Sequence, residues 1–261
     1  MSKSNIPAEK IASGGFPAVR QVKASMIIDW LHAGVEDTHA GGWASLFYGA
    51  VFAITGLFIH IVFSGNYWLL AGLTTGFFLL GPFLAMGLYD LSRRIELGER
   101  PSLVPTLTAW LPNLINVFLF AVLLLVILLI WTSLSLYIFS HFFNGALPTF
   151  TDVALNVITF KQPIFTLIYF SAGGFFAAFV YAISVVAMPL MLDRKASTAT
   201  AAMTSLRACA HNPVVMLLWA CCIVVLVGFG LATSFLGLIL TMPVVGHASW
   251  HVYRDLVDTN S

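Results

Sequence analysis

His247 and His251 stand four residues apart near the C-terminal end of the chain. On a helix that spacing puts both imidazoles on one face, the arrangement a metal or haem site uses. No Cys or carboxylate at ligand spacing names a third partner. The competing reading is a pair of boundary histidines beside Trp250 and Tyr253. His32 and His39 flank Glu36-Asp37, a cluster that could bind a cation but reads more simply as a solvated linker. His60 falls about a membrane thickness away from His247 if both lie on spanning helices, so the two would not share one ion. His141 and His211 sit at segment ends. Cys209, Cys221 and Cys222 lack CxxC spacing and read as small apolar packing residues rather than a disulfide framework.

The elements that would hold these residues are membrane spans. Of 261 residues 59% are hydrophobic and only 9% charged, against about 25% charged in soluble domains. Such a chain cannot cover itself with a polar surface. A net charge of +1 gives no reason to expect nucleic acid. Uncharged stretches of spanning length run over Trp43 to Phe63, Tyr67 to Leu88, Leu114 to Ser140, Pro163 to Leu192, Pro213 to Leu231 and Phe235 to about His251. Ala232-Thr233-Ser234 alone separates the last two, which predicts a tight hairpin. No apolar h-region precedes Trp43, so the first span is expected to direct insertion.

Lys and Arg orient the bundle, because they are retained on the cytoplasmic side. Lys3, Lys10, Arg20, Lys23, Arg93, Arg94, Arg100, Arg194, Lys195, Arg207 and Arg254 all fall on one side of a six-span arrangement, and only Lys161 on the other. Both termini are therefore expected in the cytoplasm. Val22, Met26, Ile27, Trp30 and Leu31 recur at helical spacing and predict a helix lying on the membrane surface. The expected fold class is all-α, a polytopic transmembrane helix bundle of six spans with short interfacial helices. Residues 1–42 form a cytoplasmic segment, 43–252 the membrane domain and 253–261 a cytoplasmic tail. Pro82, Pro189 and Pro243 each precede an Asp–Arg end, at Asp90, Asp193 and Asp255, a pattern that internal duplication or shared topology would equally produce.

Ionisable residues are missing from the middle of every span, where coupled transporters place them. No P-loop, GxSxG, HExxH or CxxCH occurs. The sequence therefore assigns no catalytic residue and no cofactor, and predicts a protein that is not an enzyme.

Three stretches resemble a known family: GPFLAMGLYDLSRRIELGERPSL (Gly81 to Leu103), SLRACAHNPVVMLLW (Ser205 to Trp219) and MPVVGHASWHVYRDLV (Met242 to Val257). They are similar to the bacterial integral-membrane family catalogued as domain of unknown function 2189, sometimes labelled a cytochrome c oxidase subunit. The resemblance runs from about Trp30 onward. It implies a multi-pass protein of the bacterial inner membrane with no established activity. The catalytic oxidase subunit needs more liganding histidines and more spans than this chain has.

Three functions follow as expectations. The first is a non-catalytic accessory subunit or assembly factor, whose partners are the lipid bilayer and a larger membrane-protein complex, respiratory ones included. The second is a small-molecule or lipid permease with a path along Thr74, Thr75, Asn113, Asn116, Pro82 and Pro243. The third is a metal or haem protein using His247 and His251.

Overall fold

The structure is a computed structural model that describes residues 16–63, 67–143 and 161–258, with scattered positions between 153 and 159. Side chains of residues 63–80 and of Pro82 lie outside the described set, and the expectations for Thr74, Thr75 and Pro82 lie there with them. Among the described residues the fold is all helical. The sole β contact found there is an isolated antiparallel bridge between Val19 and Val257.

The helices are α1 (Met26–Gly41), α2 (Trp43–Phe63), α3 (Tyr67–Glu96), α4 (Leu103–Thr106), α5 (Leu114–Phe142), α6 (Pro163–Ser184), α7 (Ala187–Arg194), α8 (Thr198–His211), α9 (Pro213–Ala232) and α10 (Leu238–Leu256). Among the described residues four stretches are long and apolar enough to cross a membrane: Trp43–Val62, Leu103–Phe142, Pro163–Arg194 and Pro213–Ala232. These are four of the six expected spans; α10 is not among them, and the N-terminal half of α3 lies outside the side chains described. The reason for α10 is visible in its surroundings. It packs against α1, α2, α3 and α9, so it meets protein on most sides and need not be apolar all round.

Sequence punctuation explains most of the boundaries. Gly42 has φ +53° and closes α1 by donating its N–H to Thr38 and His39 carbonyls. That conformation favours glycine and lets α2 start at once. The linker reading of His32, Glu36, Asp37 and His39 is corrected here: α1 extends through them, and the helix begins at Met26 rather than Val22. Trp30 is buried, edge-on to Trp219 with ring centroids 6.0 Å apart.

Pro189 has no N–H for the carbonyl four residues earlier, and the fourth stretch breaks into α6 and α7 just before it. Ser205 of α8 repairs the break, donating to Ala182 O at 2.7 Å and accepting from Val186 N at 3.1 Å. Pro243 sits inside an unbroken α10. There Gly49 of α2 lies against the Ile239 carbonyl, the group that loses its helical partner to Pro243. The expected hairpin is present: Ser234 and Phe235 take positive φ, and Thr233 Oγ1 accepts from Gly237 N at 2.9 Å.

Two groups of helices result. α1, α2, α3 and α10 pack closely, and α5, α6, α7 and α8 form the other group. α9 joins them through α10, and α7 joins them through α3.

Charged residues gather where the groups meet. Glu96 accepts from Arg254 at 2.7 Å and from Trp250 Nε1 at 3.1 Å; Asp193 accepts from Tyr253 at 2.6 Å. Asp255 accepts from Trp30 Nε1 at 2.7 Å, and Asp258 from Arg20 at 2.8 Å. Asn212 bridges to the N-terminal segment, accepting from Val22 N and donating to Arg20 O. The ends of α3, α7 and α10 and the start of α9 thus share one face with the segment before α1.

Candidate functional site: a sealed polar chain and an apolar cavity

The two faces of α10 differ. One carries His247 and His251, which the structure places among α1, α2 and α3. Ser45 Oγ lies 2.8 Å from His247 Nε2, and Ser92 Oγ lies 2.7 Å from His247 Nδ1. Ser92 donates its proton to Asp37 Oδ2 at 2.6 Å, and the same oxygen lies 2.9 Å from His251 Nε2.

These contacts fix the proton positions. A serine hydroxyl has one proton, so Ser92, donating to Asp37, must accept from His247 Nδ1–H. Nε2 is then an acceptor, and Ser45 donates to it. The chain reads Ser45 to His247 to Ser92 to Asp37, with His251 donating to the carboxylate from the other side. Burial alone would raise the Asp37 carboxyl, but the hydrogen bonds from His251 and Ser92 and the nearby imidazoles outweigh it and hold it below its ordinary 3.8.

A serine hydroxyl donating to an imidazole is how nucleophilic serines are activated. Here Ser45 and His247 are both completely buried. Gly41 packs so closely on Ser45 Oγ that a Cβ there would collide with it, and neither Ser45 nor His247 lines the cavity on the other face of α10. The arrangement ties four helices together and leaves no room for a substrate.

Both ring nitrogens of His247 face serine hydroxyls, and His251 faces Asp37. Among the described residues no group of three or more His, Cys, Asp or Glu side chains is arranged to hold a metal. The other histidines stand apart: His32 beside Glu36 at 3.5 Å, His60 beside the Phe235 ring, and His211 against the Arg207 carbonyl. Cys209, Cys221 and Cys222 are free thiols.

The other face of α10 borders a cavity of about 390 Å³. Leu238, Met242, Val245 and Ser249, spaced at helical intervals, form its α10 wall. α3 contributes Gly81, Ala85 and Tyr89; α6 contributes Ala177, Val180, Tyr181 and Ser184; α9 contributes Ile223 and Val227. The cavity occupies the space where α3 and α6 fail to pack. Its lining is overwhelmingly apolar, with four hydroxyls and no charged side chain among the described residues.

Residues 69–193 match the model of a family described as predicted integral membrane protein, DUF2189. That segment is similar to this family and spans a little under half of the chain. No curated protein and no solved structure matches the chain. The matched segment holds the first of the three resembling stretches, Gly81 to Leu103, and ends before the other two. It includes Ser92 and much of the cavity's α3 and α6 walls, but neither His247 nor His251.

Asn113 and Asn116, expected along a permeation path, do not line this cavity. Asn113 Nδ2 donates to the Met191 and Ala196 carbonyls at 3.1 and 3.0 Å. Asn116 donates to Asn113 and receives Thr198. Both fasten the start of α5 to the segment between α7 and α8. Sequence reasoning also missed Ser45, Ser92 and Ser184. Their signal is a hydroxyl within a helix facing protein, which composition does not reveal.

Proposed function

We propose that this integral membrane protein works as a non-catalytic holder of one membrane-soluble molecule, bound in the cavity between α3, α6, α9 and α10. The cavity carries the reading. Its volume lies within the roughly 300–1,000 Å³ of small-molecule sites, and its wall is apolar with a few hydroxyls, as such sites are built. Of the expected functions this is nearest the lipid permease, with a different path. An accessory subunit or assembly factor of a larger membrane complex could use the same cavity to present such a molecule to its partner.

The accompanying topology is six spans in the bacterial inner membrane with both termini cytoplasmic. The shared charged face supports it. Arg20, Arg93, Arg94, Arg194 and Arg254 gather where both ends of the described chain lie, and basic residues are retained on the cytoplasmic side.

Purification in mild detergent followed by solvent extraction and mass spectrometry tests the reading. A lipophile enriched over bulk lipid is expected, and Ala177→Phe, which fills the cavity from an exposed wall position, should remove it at unchanged yield. Material carrying only bulk lipid, or Ala177→Phe retaining the same species, would sink the proposal.

A further inference from the structure

Two of the four hydroxyls on the cavity wall have no work inside the protein. Ser249 donates to Val245 O at 2.7 Å, and Tyr181 donates to Met216 O at 2.8 Å. Ser184 Oγ is buried and has no hydrogen-bond partner, although a serine in a helix can bond the carbonyl one turn earlier. It is the last residue of α6, beside the break that Pro189 causes. Tyr89 is also buried against the cavity, and its hydroxyl has no partner among the described residues. Buried hydroxyls are nearly always paired in native proteins. Ser184 Oγ is such an orphan, and the Tyr89 hydroxyl, unpaired though not sealed off, stands on the same wall; together they mark the place where an occupant supplies the missing partner.

The polar and apolar parts of the wall are also sorted along the helices. Tyr89 is next to Asp90, and Ser249 is less than two turns from Asp255, so the hydroxyls lie at the end nearer the charged face. Leu238 is eleven residues before Ser249, about 16 Å along α10, and Phe52 and Val227 accompany it on the wall. A charged head would be buried here without a counter-ion, which is strongly unfavourable. A molecule without polar atoms would leave the hydroxyls unpaired.

We propose that the cavity binds an uncharged amphiphile, with an apolar chain toward Leu238 and a hydroxyl- or carbonyl-bearing head held by Ser184 and Tyr89. This rests on the cavity being a binding site. Glycerolipids with a free hydroxyl, isoprenoid quinones and long-chain alcohols share this chemistry.

The test uses the full chain in detergent, titrated with 1-oleoylglycerol, decylubiquinone, oleyl alcohol and, as the charged counterpart, oleyl phosphate, with thermal stability as the readout. At least one uncharged probe should raise Tm saturably, and the strongest identifies the source; oleyl phosphate should not. Ser184→Ala should weaken that probe about three- to tenfold, as losing one hydrogen bond does. The same variant should raise Tm in the absence of probe, because it removes an unpaired buried hydroxyl. A merely structural serine would not move the two readouts in opposite directions. Tyr89→Phe should weaken binding to a similar degree.

Oleyl phosphate binding as well as oleyl alcohol, or undiminished binding by both variants, would overturn the head assignment and leave the cavity reading standing. No response to any probe, with Ala177→Phe behaving like the wild type throughout, would bring down the cavity reading itself.

Discussion

The two faces of α10 solve the problem of polar groups inside a membrane bundle in opposite ways. Toward α1, α2 and α3 every hydroxyl and imidazole in the chain from Ser45 to His251 has a partner, and glycines let the helices close over it. Toward α6 a cavity opens, its wall is apolar, and Ser184 is left unpaired. A fully paired network fixes a structure, whereas an unpaired buried hydroxyl marks either a penalty or a missing ligand. His247, the residue that looks most chemical in the sequence, lies on the sealed face, and the face with room for a ligand looks like ordinary lipid-facing sequence.

The largest expected effect comes from opening the sealed side. A Cβ on Gly49 would run into the backbone of Ile239, and one on Gly34 would stand 2.6 Å from Val244 O. Backbone cannot swing aside as a side chain can. Gly49→Val should therefore lie beyond the usual overpacking range, about 4 kcal/mol. Detergent-extracted yield and Tm would show it; a variant as stable as the wild type would mean that α2 and α10 are not in close contact.

His247→Ala should come next, at about 3 kcal/mol, since it leaves a void and strands the Ser45 and Ser92 hydroxyls together. This substitution also separates the structural role from the metal or haem one. Metal analysis and a visible spectrum on the wild type should be blank, and the loss should appear in Tm alone. A metal or haem present in the wild type and lost from both His247→Ala and His251→Ala would restore ligation.

Legibility in the sequence followed the same division. Helix ends were readable where Pro163, Pro213 and the Ala232–Ser234 turn mark them, because a proline or a positive φ acts locally, whereas the end of α1 at Gly42 was not read. The shared helix of His247 and His251 was readable from spacing alone. Their partners were not: Ser92, Ser45 and Asp37 are 155, 202 and 214 residues from the imidazoles they meet. The cavity was invisible for a different reason. Ala85, Val180, Val227 and Met242 would suit lipid, a packed core or a ligand wall equally well, and only the failure of α3 and α6 to pack tells which. The sixth stretch, α10, does not stand out as a span by composition, because an enclosed helix can carry His247, His251 and Arg254 that a lipid-facing one could not.

Acid should act on the sealed side through Asp37. Its carboxyl is held below the ordinary value, so the unfolded chain binds the proton more readily. The stabilisation is complete above about pH 5 and is lost as pH falls through the lowered folded value. Asp37→Asn replaces the shared acceptor and should cost about 2 kcal/mol at neutral pH. It should also flatten the decline of Tm between pH 5 and pH 3 relative to wild type. Parallel Tm–pH curves for the two proteins would show that Asp37 carries no such proton linkage.

The smallest effect is also the sharpest, because its sign changes from one face to the other. Thr241 Oγ1 is buried without a partner where α10 meets Gly230 of α9, whereas Ser45 Oγ, equally buried, donates to His247. Thr241→Val keeps the shape and removes a hydroxyl that satisfies nothing, so stability should rise by about 1 kcal/mol. Ser45→Ala removes a hydroxyl of the same class and should lower stability by about as much, because Nε2 of His247 loses its donor. The two Tm shifts must therefore have opposite signs. Shifts of the same sign would mean that pairing is not what separates the two faces, and the interpretation of Ser184 as an open position for a ligand would lose its physical basis.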